Sequence, residues 1–419
     1  MDLFGSSGLS SSRLASTNGL ITVTFLAALV SAIAFVSSRI ISHPLKHIPG
    51  STLATLSTWP LFWQSIRGKR ANWIVQQHQK HGPVIRIAPH KVCISSDTGI
   101  KLIYGNKAVK THVYDTFRYR GVKMCIGLPD VKSAHSRRKA LLPAFSRQNL
   151  LEMEPVIRNH LQHFLDWLEK FEVTNTPVDT FKWFRYLTFD VITDIAFGQQ
   201  IGMLQSGDSH FIGQVELRNQ RNGLYAIRAR DSWASAGEAN RPRVDILSRI
   251  EEGGKVDPST ALSDEEVIAE MMEILNAGSD TTANTAMFTS WELARRPDVQ
   301  TKLHEELKAA FPDPKESLDI ERLERLPFFD GVCREGLRLH APIPSYLERY
   351  SPPGGITVCE VPIPAGTIVG MQAYTNHRDP SVYPDPDNFA PERWYEATAA
   401  MKTNYFPFSA GPRACVGLK

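Results

Sequence analysis

Residues 407–417, PFSAGPRACVG, constrain this chain more tightly than any other stretch, because they build a loop around a single cysteine. Arg413 stands two residues before Cys415, Gly411 four before it and Gly417 two after it. No second cysteine or histidine falls at the spacing of a structural zinc site, which argues against a zinc loop. Glycines at these positions allow backbone conformations or close approaches that a Cβ would obstruct. The arginine and exposed backbone N–H groups favour an anionic sulfur, and a lone thiolate is one of the axial ligands of haem iron. Spacing alone is equally compatible with a structural cysteine buried in a turn.

The totals narrow the classes further. A chain of 419 residues, 42% hydrophobic and 22% charged, has the make-up of a folded protein with one large domain or two smaller ones. A formal net charge of +3, with no dense basic run interleaved with aromatics, excludes nucleic acid as the partner of choice. The five cysteines are odd in number and widely scattered, which fits a reducing compartment rather than a disulfide framework.

Along the chain, residues 20–38 carry no charge and are long enough, at about 1.5 Å per residue, for a transmembrane anchor helix. Arg39, Lys46 and His47 follow it, whereas Arg13 is the only base before it and Asp2 offsets that charge, so the body of the protein is expected on the cytoplasmic side. No A-x-A-like site follows closely, which counts against a cleaved signal peptide. Pro44 and Pro49 then stiffen the exit. The expected organisation is a short N-terminal segment at 1–19, the anchor at 20–38, a proline-containing hinge at 39–50 and one domain at 51–419.

Residues 73–81 read as a helix, and VIRIA and KVCIS as a strand hairpin turning at Pro89. The stretch AHSRRKALLPAFS, residues 134–146, reads as a basic helix with Arg138 turned inward and Arg137 and Lys139 facing solvent. Amphipathic helices follow at 157–169 and 184–197. Ser263-Asp264-Glu265-Glu266 is a capping box that announces a long central helix, expected to run to Arg295 and Arg296 before Pro297 stops it. Within it lies Ala277-Gly278-Ser279-Asp280-Thr281-Thr282. A mid-helix glycine costs about 1 kcal/mol relative to alanine, and either close approach of a flat cofactor or packing of another helix would account for it. A hydroxyl and a carboxylate beside that gap could bend the local hydrogen bonding and carry protons. Glu335 and Arg338, at i,i+3, share one helix face, where an isolated pair is usually a surface salt bridge of little worth.

Phe408-Ser409-Ala410-Gly411-Pro412-Arg413-Ala414-Cys415-Val416-Gly417 resembles the haem-binding signature F-x-x-G-x-R-x-C-x-G of the cytochrome P450 family at every fixed position. The hexapeptide at 277–282 resembles that family's oxygen-activation motif, Glu335 and Arg338 its E-x-x-R pair, and Phe389-Ala390-Pro391-Glu392-Arg393-Trp394 its meander. The resemblance implies a mainly α fold with small β-sheets. It implies haem b with Cys415 as metal ligand, and Arg138, Ala277, Gly278, Arg349, Phe408, Gly411, Arg413 and Gly417 around the cofactor. Asp280 and Thr281 would be the catalytic proton-relay pair, while Glu335, Arg338 and Arg393 would form a buried structural triad. Two positions depart from the pattern: Ala134 stands where the family has a tryptophan paired with Arg138, with His135 as a weak substitute, and Glu348 replaces a proline before Arg349.

By the same resemblance the chain is expected to be a haem-thiolate monooxygenase acting on an apolar small molecule in fungal secondary metabolism. No GxGxxG phosphate cradle is present, so electrons from NADPH would arrive through the flavins of a separate NADPH-cytochrome P450 reductase, with cytochrome b5 as a further donor. The protein would sit in the endoplasmic reticulum membrane as a single-pass protein. The family's lid region looks shortened at 217–243, and the family's chain continues past the cysteine loop where this sequence stops, so a fold incomplete at the C-terminus is expected. Those departures leave two alternatives: a catalytically impaired remnant with an interaction role, or a reductase-independent peroxygenase or isomerase.

Overall fold

Two hydrogen-bonding habits, capped helices and short antiparallel ladders, build this chain, and a computed structural model describes residues 23–31, 33, 34, 36–38, 40–105, 108–207, 245–313 and 318–418. The contacts divide it into two units between Val92 and Cys93. The first contains helices α1 (Thr52–Leu56), α2 (Trp59–Ile66) and α3 (Arg70–His81), then strand β1 (Val84–Ala88) and strand β2 (Lys91–Ile94), within which the division falls. Helix α3 starts three residues before the expected 73, and all five residues of β1 are buried. The end of the expected hinge is part of this unit: Leu45 and Ile48 are buried, Arg86 N–H donates to Pro49 O at 2.7 Å, and the Arg86 guanidinium donates to Leu45 O at 2.9 Å.

The expected anchor at 20–38 is corrected. Leu20, Ile21, Thr22, Ala32 and Phe35 lie outside the described residues, and the described ones from Val23 to Ser38 are helical. No helix among the described residues is long and apolar enough to cross a membrane. The expectations of membrane anchoring, single-pass topology and endoplasmic reticulum residence fall with it.

The second unit begins with helix α4 (Asp97–Tyr104), strand β3 (Val109–Lys110) and the hairpin of β4 (Arg118–Tyr119) and β5 (Val122–Lys123). Helices α5 (Val131–Leu141), α6 (Arg147–Val173), α7 (Thr180–Phe197) and α8 (Met203–Ser206) follow. The side chains of Asp130, Ser146 and Asp179 accept backbone N–H groups at the starts of α5, α6 and α7, and the caps extend α6 and α7 beyond the ranges expected from apolar period. The stretch at 217–243, where a shortening is expected, lies outside the described residues. Then come α9 (Ile246–Val256) and α10 (Asp264–Ala294), whose 31 residues start at the anticipated capping box of Ser263 and Glu266. Pro297 opens the next helix as well as closing this one: α11 (Pro297–Ala310) is followed by α12 (Ile320–Leu323) and α13 (Pro327–Leu339).

Strands β6 (Arg349–Tyr350), β7 (Ile356–Val358), β8 (Val361–Ile363) and β9 (Ile368–Met371) complete the small sheets, and helices α14 (Ala373–Asn376) and α15 (Ala399–Asn404) lead to the cysteine loop. β6 lies antiparallel between β3 and β9, with Lys110 opposite Arg349 and Arg349 opposite Val369. β7 and β8 pair as a separate hairpin. The main core packs α7 against α10 and α6: Met271, Met272 and Leu275 share one cluster with Phe189 and Ile192, and Trp167 and Trp183 meet at a tilt with centroids 4.6 Å apart. The architecture is mainly α with small β-sheets.

A second centre holds α13. Glu335 and Arg338 are both 0% exposed, and the carboxylate accepts from Arg338 Nε at 2.9 Å and Nη2 at 2.7 Å. It also accepts from Arg393 Nε at 2.9 Å, Trp394 Nε1 at 2.9 Å and Ala390 N at 3.1 Å. Glu335→Gln leaves two arginines facing a neutral amide, and the expected loss is about 3–5 kcal/mol in urea unfolding. A loss below about 1 kcal/mol would mean that the network behaves as a surface pair.

Candidate active site

The cysteine loop is a turn closed on itself. Ser409 N–H donates to Phe406 O at 3.0 Å, Ala414 N–H to Gly411 O at 3.0 Å, and Cys415 N–H to Phe408 O at 2.9 Å. Ser409 takes a left-handed φ of 64°, a strained value for a serine. Gly411 has a φ of 70°, and a Cβ there would overlap the Tyr104 carbonyl oxygen, so the loop needs a glycine both for its conformation and for its seat on α4. Burial of the loop raises the thiol above its ordinary value, opposed by the Gly417 N–H and by the Arg138 charge, while Cys415 keeps an accessible face.

Cations converge on this loop from three elements. Arg138 on α5 donates to Ala414 O at 2.7 Å. Arg413 donates to Leu128 O at 2.7 Å, Cys125 O at 3.2 Å and Asp130 O at 3.3 Å. Arg349 is 2% exposed and donates to Glu348 O and the Tyr114 hydroxyl, with its guanidinium 5.1 Å from the Tyr104 ring centre. Lys110, its partner across the strands, is 5% exposed and donates to Ile126 O at 2.7 Å. Among the described residues none of these four is paired with a carboxylate. Burial, and then the charges of Arg413 and Arg349, push Lys110 down to about 6 from 10.5, with Glu273 opposing.

The basic helix differs from expectation. Arg137, expected in solvent, is buried and pairs with Glu266 and, at 2.6 Å, with Glu270 of α10, while Arg138 is half-buried. Arg137 lies three residues after buried Ala134 and four before buried Leu141, on the helix face turned to the core, and the α10 carboxylates compensate its charge. His135 is exposed.

On α10, Thr281 Oγ1 donates to Ala277 O, and Asp280 accepts from Arg185 Nε of α7 at 3.2 Å. A Cβ on Gly278 would stand 2.6 Å from Ile192 Cδ1, so helix packing accounts for that glycine, one of the two readings its spacing left open. One and two turns before Ala277, Glu273 accepts from Ile126 N–H at 3.2 Å and Glu270 has one carboxylate oxygen buried without a partner. Burial raises both carboxyls above the ordinary range, and at Glu270 repulsion from Glu273 adds to it.

Sequence reasoning missed Lys110, Glu270, Glu273 and Tyr104. Tyr104 ties α4 to the sheet by accepting from Met371 N–H at 2.9 Å. The available signals were weak: a lysine in a short strand, and acids on the central helix at a spacing that also suits a solvated face. Because Glu270 and Glu273 are raised in the fold, the folded protein holds protons that the unfolded chain releases. The stability this confers is full in acid and is lost as pH rises past the ordinary carboxylate range. Glu273→Gln is expected to flatten that decline in a plot of melting temperature against pH, and parallel curves for the two proteins would contradict the assignment.

Comparison with known proteins fixes the family. The Cytochrome P450 family profile matches residues 49–229 and 216–419. Benzoate 4-monooxygenase bphA of Aspergillus niger is 30% identical over 89% of this chain and 84% of its own length. Cytochrome P450 monooxygenase atr2 of Stereocaulon alpinum is 30% identical over 90% and 81%, and tryprostatin B 6-hydroxylase of Neosartorya fischeri is 29% identical over 95% and 77%. With its cysteine loop, its central helix and these matches, the chain belongs to the cytochrome P450 family and is an oxidoreductase of the monooxygenase class.

Proposed function

We propose that this chain is a haem-thiolate monooxygenase that inserts one oxygen atom of O2 into an apolar organic substrate, by hydroxylation or epoxidation, and that Cys415 is the axial ligand. The observation that carries the reading is the set of four cations beside the cysteine loop, none of them in a salt bridge with a carboxylate among the described residues. Lys110 and Arg349 face each other across an antiparallel ladder, where like charges repel. A group with two carboxylates and a metal seeking one sulfur suits this donor set, and haem b has both. Arg138, Arg349, Arg413 and Lys110 would hold the propionates and Cys415 the iron, with Phe408, Gly411 and Gly417 shaping the loop and Ala277 on α10 facing the cofactor.

Bound haem supplies an iron at which dioxygen is reductively activated. The protein's own part is to exclude water and manage protons. Thr281 gives its hydroxyl proton to Ala277 O, which leaves its oxygen lone pairs free to accept another. Asp280 is the nearest acid in sequence, and its carboxylate must leave Arg185 before it can carry a proton to Thr281. Electrons from NADPH would come through a separate flavin-containing reductase, with cytochrome b5 as a further donor. The names of the two relatives that act on benzoate and on tryprostatin B support oxidation of an organic molecule, and a role in fungal secondary metabolism follows the same analogy.

The test is the ferrous carbon-monoxide spectrum of the haem-loaded protein, followed by O2 and NADPH consumption with a reductase. The long-wavelength Soret band of thiolate ligation is expected in the wild type and absent in Cys415→Ser, and a wild type without it would sink the proposal. Lys110 supplies an independent check. An anion placed against it restores its proton, so haem loading in the window between about 6 and 10.5 is expected to take up protons. Lys110→Met should lose that uptake, measured with an indicator dye in weak buffer, and equal uptake by both proteins would remove Lys110 from the site.

A further inference from the structure

Asn376 is followed by His377, a fully buried histidine whose ring has two partners of opposite kind. Nδ1 lies 3.1 Å from Arg338 O, and Nε2 lies 3.1 Å from Phe406 N. A carbonyl only accepts and a backbone N–H only donates, so the ring is neutral, with its proton on Nδ1 and a lone pair on Nε2. The contact with Arg338 is reciprocal, since Arg338 Nη1 donates to His377 O at 2.7 Å. The imidazole is also held by Tyr405 stacked at 5.7 Å and Phe406 edge-on at 5.4 Å. Phe406 is where the cysteine loop begins: its carbonyl takes Ser409 N–H, and two residues on, Phe408 O takes Cys415 N–H.

We propose that His377 is a positioning residue that transmits the fixed geometry of the Glu335–Arg338 network to the cysteine loop, holding Cys415 where its sulfur can bind as a thiolate. The proposal rests on the reading of Cys415 as the axial ligand. The loop contains a strained serine and an arginine bonded only to carbonyls, and among the described residues no other hydrogen-bonded bridge ties the start of the turn to α13. His377 supplies that tether at the Phe406 N–H. Burial also keeps the ring neutral, pushing it down to about 3, so the tether does not open as pH crosses the usual histidine range.

Two short amides separate the ring's two bonds. Asn at 377 reaches as far as Nδ1 and keeps the bond to Arg338 O, whereas Gln reaches as far as Nε2 and keeps the bond to Phe406 N–H. In the haem-loaded ferrous carbon-monoxide form, His377→Asn is expected to shift the ratio of thiolate-type to thiol-type Soret bands by about tenfold towards the thiol, the weight of one lost hydrogen bond. His377→Gln is expected to stay within about twofold of the wild type. A wild-type band with equal responses in both variants, or with unchanged ratios and only lower melting temperatures, overturns the positioning role. A wild type without the thiolate band overturns the Cys415 reading and this proposal together. If the Asn variant does not accumulate, 15N spectra of the wild type decide: an unprotonated Nε2 at neutral pH supports the tether, and a protonated one overturns it.

Discussion

A single buried carboxylate, Glu335, fixes more of this molecule than any other group. Its two oxygens accept from Arg338, Arg393, Trp394 and the Ala390 N–H, so α13 and the turn Pro391–Trp394 have one relative position. Arg338 spends its remaining donors on the carbonyls of His377, Pro386 and Asn388. An ion pair taken wholly out of water is weak evidence for stability, because desolvation offsets its attraction. Its value lies in intolerance: every lone pair has a partner, and a displaced chain would leave a charge stranded. That intolerance is what makes the network a reference point for a loop of little intrinsic stability.

The second constraint is the reverse of the first, charge gathered without a salt bridge among the described residues. Lys110 and Arg349 are set opposite each other by strand register, and Arg413 and Arg138 reach the same loop from other elements. Each donates to at least one carbonyl, which serves hydrogen bonding but not the electrostatics. The cost appears at Lys110, whose proton is the cheapest to release. A fold that accepts such repulsion at rest gains affinity for an anion, since binding removes the repulsion as well as adding contacts.

The sequence was most legible where a local rule dictates structure. The capping box at Ser263 and Glu266 marked the start of α10, the glycines and arginine around Cys415 marked the loop, and period two marked VIRIA as a strand. It was least legible where partners come from far along the chain. Arg137 and Arg138 are adjacent, and only the carboxylates of Glu266 and Glu270, more than a hundred residues later, decide which one is buried. Lys110 and Arg349 meet through a strand register that no local pattern encodes. The expected membrane anchor rested on freedom from charge over 19 residues, and no helix among the described residues has the length and apolarity to cross a membrane.

Gly278 and Thr281 show how one short motif divides its work. The glycine admits Ile192 from α7, and that contact presses the two longest-packed helices of the core together. On the adjoining turns, Ser279, Thr281 and Thr285 each return a hydroxyl to the carbonyl four residues back. Such bonds compete with the helix's own ladder and loosen it locally. Asp280 is meanwhile drawn toward Arg185 on the same helix that Gly278 admits. Close packing thus sets where α7 stands, and α7 in turn sets where the acid rests. A bulkier residue at 278 would therefore displace Arg185, and with it the carboxylate of Asp280, without touching either residue.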